Sequence, residues 1–289
     1  MKIYILPVSD GLQPKRQPFR YPKHNKDYGI EQDFLTYLRG RQDIVVNDPQ
    51  AADWHYLPVF WTRYHLNHDY GKTGREELAD KVGKHILDET RTFTVCQYAD
   101  GPLIDVGEIT LFLSSRKTTH DRDVPLLCSP HRLPLIRPRK RYLASFSGRF
   151  STHPLRSRMA DVLKSWDRIE IVDSDMGRRY FVRQMLSSYI ALCPRGHGGS
   201  SFRFYEAMQL ETVPLLIGDL DTRPFKQLID WDSCSLYCRS AEDIESVLRE
   251  FSEADLTEMG KRAGIIWRDQ LTYHKWCKYV ILELMKEKV

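Results

Sequence analysis

Arg203 and Glu206 stand three residues apart, just after a run of glycines, in CPRGHGGSSFRFYEA (193–207). On a helix that spacing puts both side chains on one side of the first turn. A guanidinium there can pair with a phosphate, and a carboxylate can accept hydrogen bonds from sugar hydroxyls. The residues before them suit an anion. Tyr189 to Cys193 is an apolar run of strand length, Pro194 ends it, and Gly196, Gly198 and Gly199 permit an open, sharply turned backbone. Ser200 or Ser201 can cap a helix that starts near Phe202. A glycine-rich loop entering a helix offers unpaired N–H groups and the positive end of the helix dipole. The same residues also fit a plain strand–loop–helix carrying a surface Arg–Glu pair, an interaction of ~0.3–0.5 kcal/mol that needs no function. The loop is not a Walker loop, since no Gly-Lys-Ser/Thr ends it, and it is not a Gly-x-Gly-x-x-Gly fingerprint.

The elements that would hold this loop alternate along the chain. Lys2 to Leu6 reads as a strand, and 11–25 as an irregular loop rich in Pro, Gln and cations. Tyr28 to Leu38 has helical apolar spacing stopped by Gly40. Ile44 to Val46 and Asp53 to Val59 read as strands, with a polar, aromatic loop over 61–74 after them. A helix over Glu76 to Glu89 and strands at Thr92 to Val95, Ile109 to Leu113 and Pro125 to Leu127 follow. The alternation restarts at Tyr142. Strands are expected at 142–147, 169–172, 190–193, 213–217 and 235–238, with helices at 154–166, 178–186 and 241–251. Val213 to Ile217 is apolar on both faces, as in a buried parallel strand. Alternation of this kind implies right-handed βαβ units and an α/β fold. Leu133 to Arg141, LPLIRPRKR, carries two prolines and four cations and marks the expected domain boundary. The domains are then 1–136 and 137–270, both Rossmann-like, with an amphipathic helix in 271–289 crossing back to the first.

A family resemblance rests on residues in both halves. Cys193, Pro194, Gly196, Ser201, Arg203, Glu206, Ala207, Val213 and Pro214 resemble the signature of the exostosin-like glycosyltransferases: Cys-Pro-x-Gly, Ser-x-Arg-x-x-Glu-Ala and a Val/Ile-Pro strand. Glu211 stands where that family has Gly. RYLASFSGRFSTHPLRSR (141–158) is similar to its strand, Phe-x-Gly turn and His-x-x-Arg helix start. Glu31, Asp48-Pro49, Ala52-Asp53 and Tyr56-Leu57-Pro58 are similar to a third block, and Trp231 to a fourth. The resemblance implies the GT-B architecture, two facing Rossmann-like domains, and an inverting transfer from a UDP-sugar to a hydroxyl of an oligosaccharide or glycoprotein glycan. It implies donor binding by Arg149, Gly196, Ser201, Arg203 and Glu206, with the glutamate on the ribose. Arg156 and Arg195 are weaker candidates, expected at the surface. Xylose is the expected sugar, from the likeness to short, plant-like members.

Inversion also needs a general base within reach of the acceptor oxygen. The candidates are Asp100 and Asp10, then His24, His65 and Asp69, all on loops of the first domain. Asp beside Gly is also common turn chemistry. Asp-x-Asp occurs at 121–123, 173–175, 219–221 and 230–232, too often to mark a metal, and cations with backbone N–H groups can serve the diphosphate. No essential metal and no cofactor are expected. Rival readings are a UDP-sugar epimerase and a non-catalytic nucleotide- or carbohydrate-binding module.

Composition limits the partners. At 42% hydrophobic and 28% charged residues, the chain reads as a soluble globular protein. A net charge of +4 over 289 residues argues against a dedicated nucleic-acid surface, so the basic run at 137–141 reads as a solvated face. No apolar run approaches a membrane span of ~20 residues, and the N-terminal apolar run before Pro7 is too short for a signal peptide. Cytoplasmic placement is expected. Cys96, Cys193 and Cys277 lie in apolar surroundings as buried thiols, and the Cys234–Cys238 pair lacks a second pair for zinc.

Overall fold

The computed structural model of the protein describes residues 1–15, 29–119, 121–126, 128, 130–174, 176–272 and 274–286. It divides into two α/β units, Met1–Leu127 with Tyr273–Val289, and Cys128–Thr272.

In the first unit, strands β1 (Ile3–Ile5), β2 (Val45–Val46), β3 (Trp54–Tyr56), β4 (Thr92–Cys96), β5 (Thr110–Leu113) and β6 (Arg122–Asp123) form one sheet in the order β2-β1-β3-β4-β5-β6. Every pairing is parallel. Helices α1 (Ile30–Arg39), α2 (Trp61–Asn67) and α3 (Arg75–Gly83) lie on the connections. β4 is buried throughout, the burial expected of a central parallel strand.

Local readings change here, and the strand of the 121–126 region is Arg122–Asp123, ahead of the expected Pro125 start. The stretch after β3, expected as a loop, is helix α2, and Trp61, Thr62, Arg63, Tyr64 and His65 are all buried. Its N-terminus is capped from another element. The Glu31 carboxylate accepts from the Thr62 amide at 3.2 Å, the Thr62 hydroxyl at 2.7 Å and the Gln97 amide at 3.0 Å. The helix expected over 76–89 ends at Gly83, and Asp88 instead caps a short turn at Glu89–Arg91.

In the second unit, β7 (Tyr142–Ser147), α4 (Pro154–Leu163), β8 (Ile169–Val172), α5 (Gly177–Leu186), β9 (Ser188–Pro194), α6 (Phe202–Gln209), β10 (Val213–Ile217), β11 (Leu236–Cys238), α7 (Ile244–Glu250) and α8 (Glu253–Ile266) follow in turn. The sheet order is β11-β10-β9-β7-β8, again all parallel. Its core joins Phe146, Ile190, Leu192, Val213 and Leu215 to Met159 and Leu163 of α4. Residues 128–136, expected in the first domain, group with the second unit. They are tied to α6: the His131 amide donates to the Gln209 side chain at 2.7 Å, and the Gln209 amide donates to Cys128 Sγ at 3.0 Å.

The last helix, α9 (Cys277–Lys286), groups with the first unit. Trp276, just before it, stacks on Phe34 of α1 at 5.7 Å, and Asp33 accepts from the His274 amide and the Trp276 indole. All six cysteines are buried and none forms a disulfide.

Glu211 follows α6 with φ of +52°, the left-handed region where glycine is favoured. A side chain is kept at that point by two ion pairs, with Arg137 at 2.6 Å and Arg268 at 3.3 Å. Gly260 of α8 lets the turn approach: a Cβ there would lie 2.4 Å from the Glu211 carbonyl oxygen.

Candidate functional site

The site is built at the carboxyl edge of the second sheet, where three parallel strands release their loops. β7 leads to Gly148 and Arg149, β9 to the glycine-rich loop 195–201, and β10 to Gly218 and Asp219. Ligands of open α/β sheets gather at this edge, because loops and helix N-termini converge there.

Two arginines fix the loops to one another. Arg156 of α4 is 9% exposed, and its guanidinium lies over the Phe146 ring. It donates to the Arg149 carbonyl at 3.0 Å and the Arg195 carbonyl at 3.4 Å, linking the loops after β7 and β9. Arg195 pairs with Asp219, which brings in the loop after β10, and its Nε is buried without a partner. Both had been expected at the surface. Both are internal struts, because Phe146 at the end of β7 gives Arg156 an apolar seat and the Arg195 chain lies over Gly218.

Arg203 extends from the first turn of α6 over Phe146, 4.3 Å from the ring centre, and is 5.5 Å from that of Phe181. It donates to the Ser147 carbonyl. A Cβ on Gly148 would meet its Nη2 at 2.9 Å, so glycine there makes room for the guanidinium.

Glu206 does not pair with Arg203. Its Oε1 meets His131 Nε2 at 2.9 Å, and the two side chains are 13% and 3% exposed. The bland reading of an intrahelical surface pair is thereby replaced: Glu206 is held from the side, by a residue 75 positions earlier. His131 was missed in the sequence. It lies in a proline-rich basic stretch that gives no local sign of a distant partner.

The remaining donor candidates share this edge. Arg149 is exposed directly after β7. Ser201 is the residue before α6 and is 8% exposed, but its hydroxyl makes no capping bond, contrary to expectation. Gly196 has ordinary backbone angles, and a Cβ there would meet only Arg156 Nη2 at 3.5 Å and Thr152 at 3.9 Å. Neither conformation nor packing within the chain demands glycine at 196.

The first-unit candidates are placed differently. Asp100 is exposed in a turn and paired with Lys117. Asp10 is exposed in a short 3-10 turn after β1. Asp69 pairs with Lys72. His65 is 1% exposed, held to the Pro102 backbone, with Nε2 buried and unpartnered; burial pushes its pKa down to about 4. His24, with the aromatic loop 21–28, lies outside the described residues.

Three of the four Asp-x-Asp pairs hold an arginine, and Asp173 of the fourth accepts from the Phe150 amide at 2.7 Å. Asp123 binds Arg116, Asp219 binds Arg195, and Asp221 and Asp232 bind Arg223. Asp175 lies outside the described residues. Among the described residues, no three His, Cys, Asp or Glu side chains are grouped to hold a metal, and no helix is long and apolar enough to cross a membrane.

Residues 108–251, from just before β5 through α7, match the family model of the Exostosin GT47 domain. That span contains all five donor candidates and excludes Asp10 and Asp100. Exostosin-1 of Drosophila melanogaster is 22% identical over 290 residues, covering 84% of this chain and 38% of that protein. Exostosin-1b of Danio rerio is 22% identical, covering 100% of this chain and 43% of that protein. The Exostosin-1 homolog of Caenorhabditis elegans is 23% identical, covering 92% and 80%. The chain thus spans about two fifths of the length of the fly and zebrafish relatives. A crystal structure of TarM superposes with a TM-score of 0.37 at 8% identity, over 72% of this chain and 57% of that one. With the family model on residues 108–251 and relatives that run nearly the length of the chain, the protein belongs to the exostosin-like glycosyltransferases.

Proposed function

We propose that the second unit binds a UDP-sugar and that the chain transfers its sugar, with inversion, to a hydroxyl of a glycan acceptor bound by the first unit. One observation carries this reading: Glu206 is braced by His131 on the same helix turn as Arg203, beside a glycine-rich loop. A carboxylate held on one oxygen keeps the other for a ligand. Here it would take the ribose hydroxyls.

Arg149, Arg203, the Ser201 hydroxyl and the N-terminus of α6 supply donors for the diphosphate. Fixed donors aimed at developing charge act in the transition state without reorganising. Arg203 is pre-set by Phe146 and the Ser147 carbonyl. Glycine at 196 would let the diphosphate approach the backbone. These groups give the leaving group positive charge without a metal, and we place no metal in the reaction. Asp100 is the proposed base, ahead of Asp10; it must exchange Lys117 for the acceptor hydroxyl. Xylose is the proposed donor sugar. Six buried thiols without a disulfide suit a reducing compartment.

The test is thermal unfolding against a panel of nucleotides and nucleotide sugars, with and without EDTA. A ligand at ~100 times its dissociation constant adds about 2.7 kcal/mol to the folded state. A shift with UDP-sugars that survives EDTA supports the reading, and the sugar with the largest shift names the donor. No shift with any nucleotide would overturn it.

A further inference from the structure

A second charged feature lies beside the donor site, where residues 130–138 run along α5. They enclose a groove of about 920 Å³ lined by five arginines: Arg132, Arg137, Arg178, Arg179 and Arg183. Two of them do structural work. Arg178 donates to the Pro130 carbonyl at 3.0 Å and holds the segment on the helix, and Arg137 pairs with Glu211. Among the described residues, Arg132, Arg179 and Arg183 have no carboxylate partner. Arg179 and Arg183 repeat at four residues on one helix, a like-charge spacing that disfavours the helix unless an anion lies between them. Ile136 lines the groove and Leu135 is its chain neighbour; they are 89% and 106% exposed, and among the described residues no other large apolar side chain passes 61%. Pro134 and Pro138 stiffen the loop that presents them.

A soluble anion would account for the arginines but not for two adjacent aliphatic side chains held out in water. An anionic lipid surface accounts for both. Headgroup phosphates and carboxylates pair with the guanidiniums, and the Leu-Ile tip enters the boundary with the acyl chains. Basic clusters of 4–8 residues next to an apolar anchor are suited to such surfaces, each cation adding to the attraction within a Debye length. We infer that the groove edge formed by Leu135, Ile136, Arg179 and Arg183 is a peripheral docking site for anionic phospholipid membranes. His131, which braces Glu206, also lines this groove, but the inference uses none of the donor candidates.

The test is flotation of the full chain with phosphatidylcholine vesicles, with and without phosphatidylserine. The expected result is co-flotation only with phosphatidylserine, weakened by salt. Leu135→Ser with Ile136→Ser, and separately Arg179→Glu with Arg183→Glu, should each reduce bound protein by about tenfold or more. Thermal unfolding of each variant, alone and with UDP, checks that the fold and the donor site are unchanged. Equal binding to both vesicles, no binding to either, or binding that both variants retain would overturn the inference. So would binding of a soluble sulfated oligosaccharide without vesicle binding, lost in the arginine variant and kept in the Leu-Ile variant. That outcome would make the groove a soluble-anion site.

Discussion

The carboxyl edges of the two sheets are built in opposite ways. At the second sheet's edge, Arg156, Arg203 and Glu206 are braced by bonds between elements, while Arg149 is exposed. Arg156 ties two loops by their carbonyls, Arg203 lies on Phe146, and His131 holds Glu206. At the first sheet's edge, the exposed carboxylates pair with nearby lysines: Asp100 with Lys117, Asp69 with Lys72. The carboxylate buried there, Glu31, spends its bonds on Thr62 and Gln97 and holds the fold. The contrast separates two tasks. On the proposed reading, a diphosphate and ribose are recognised by groups fixed beforehand. A proton acceptor at the surface needs only to exchange one salt partner for a substrate hydroxyl.

Substitutions can break this contrast, and the largest effect belongs to the first unit. Asp100→Asn should lower kcat by about 10²–10⁴ if it is the base, while changing stability by less than about 1 kcal/mol, because its ion pair is exposed. Steady-state kinetics beside urea unfolding separates the two. An unchanged kcat would move the role to Asp10.

The opposite signature is expected from Arg156→Ala. It removes a buried guanidinium that serves two carbonyls, so unfolding free energy should fall by about 3 kcal/mol, and UDP binding with it. Next in size is an effect of pH. Burial holds His65 at about 4 against its ordinary 6.5. The unfolded chain therefore takes the proton first, so the contribution is complete above about pH 6.5 and is lost as pH falls toward 4, up to about 3 kcal/mol. Burial raises the Glu31 carboxyl, which acts in the opposite sense as pH rises. Comparing wild type with His65→Gln from pH 7 to 4 isolates the histidine: the variant should lose less stability. Gly196→Ala should leave the melting temperature within about 2 °C, since its Cβ meets nothing closer than 3.5 Å, and still weaken UDP binding. The smallest effect is at Glu211. Glu211→Gly relieves a left-handed residue by about 1 kcal/mol and loses two half-exposed ion pairs of similar size, so stability should change little. Glu211→Ala keeps the strain and should cost about 1 kcal/mol more than glycine in the same urea series.

What the sequence made legible follows from range. Alternating strand and helix periods are local, so the α/β class and most elements could be read directly. The Ser-x-Arg-x-x-Glu spacing is also local, and its residues do meet at one sheet edge. Features set by distant partners could not be read. Helix α2 looked like a polar loop because its cap, Glu31, lies 31 residues upstream. Arg156 looked like a surface cation because its seat is an aromatic ring on another element. His131 looked like linker because Glu206 lies 75 residues away. Glu211 looked like a departure from the turn, yet it adopts the glycine-like angle with two arginines holding its side chain.

The central claim is that a pre-braced Glu206 reads ribose. The most direct measurement is calorimetric titration of wild type and Glu206→Ala with UDP and with its 2′,3′-dideoxy analogue. Wild type should prefer UDP by about 100-fold or more, as two hydrogen bonds to a charged acceptor imply, and Glu206→Ala should bind both ligands equally. If the preference survives in Glu206→Ala, ribose is recognised elsewhere and the donor site drawn here is wrong.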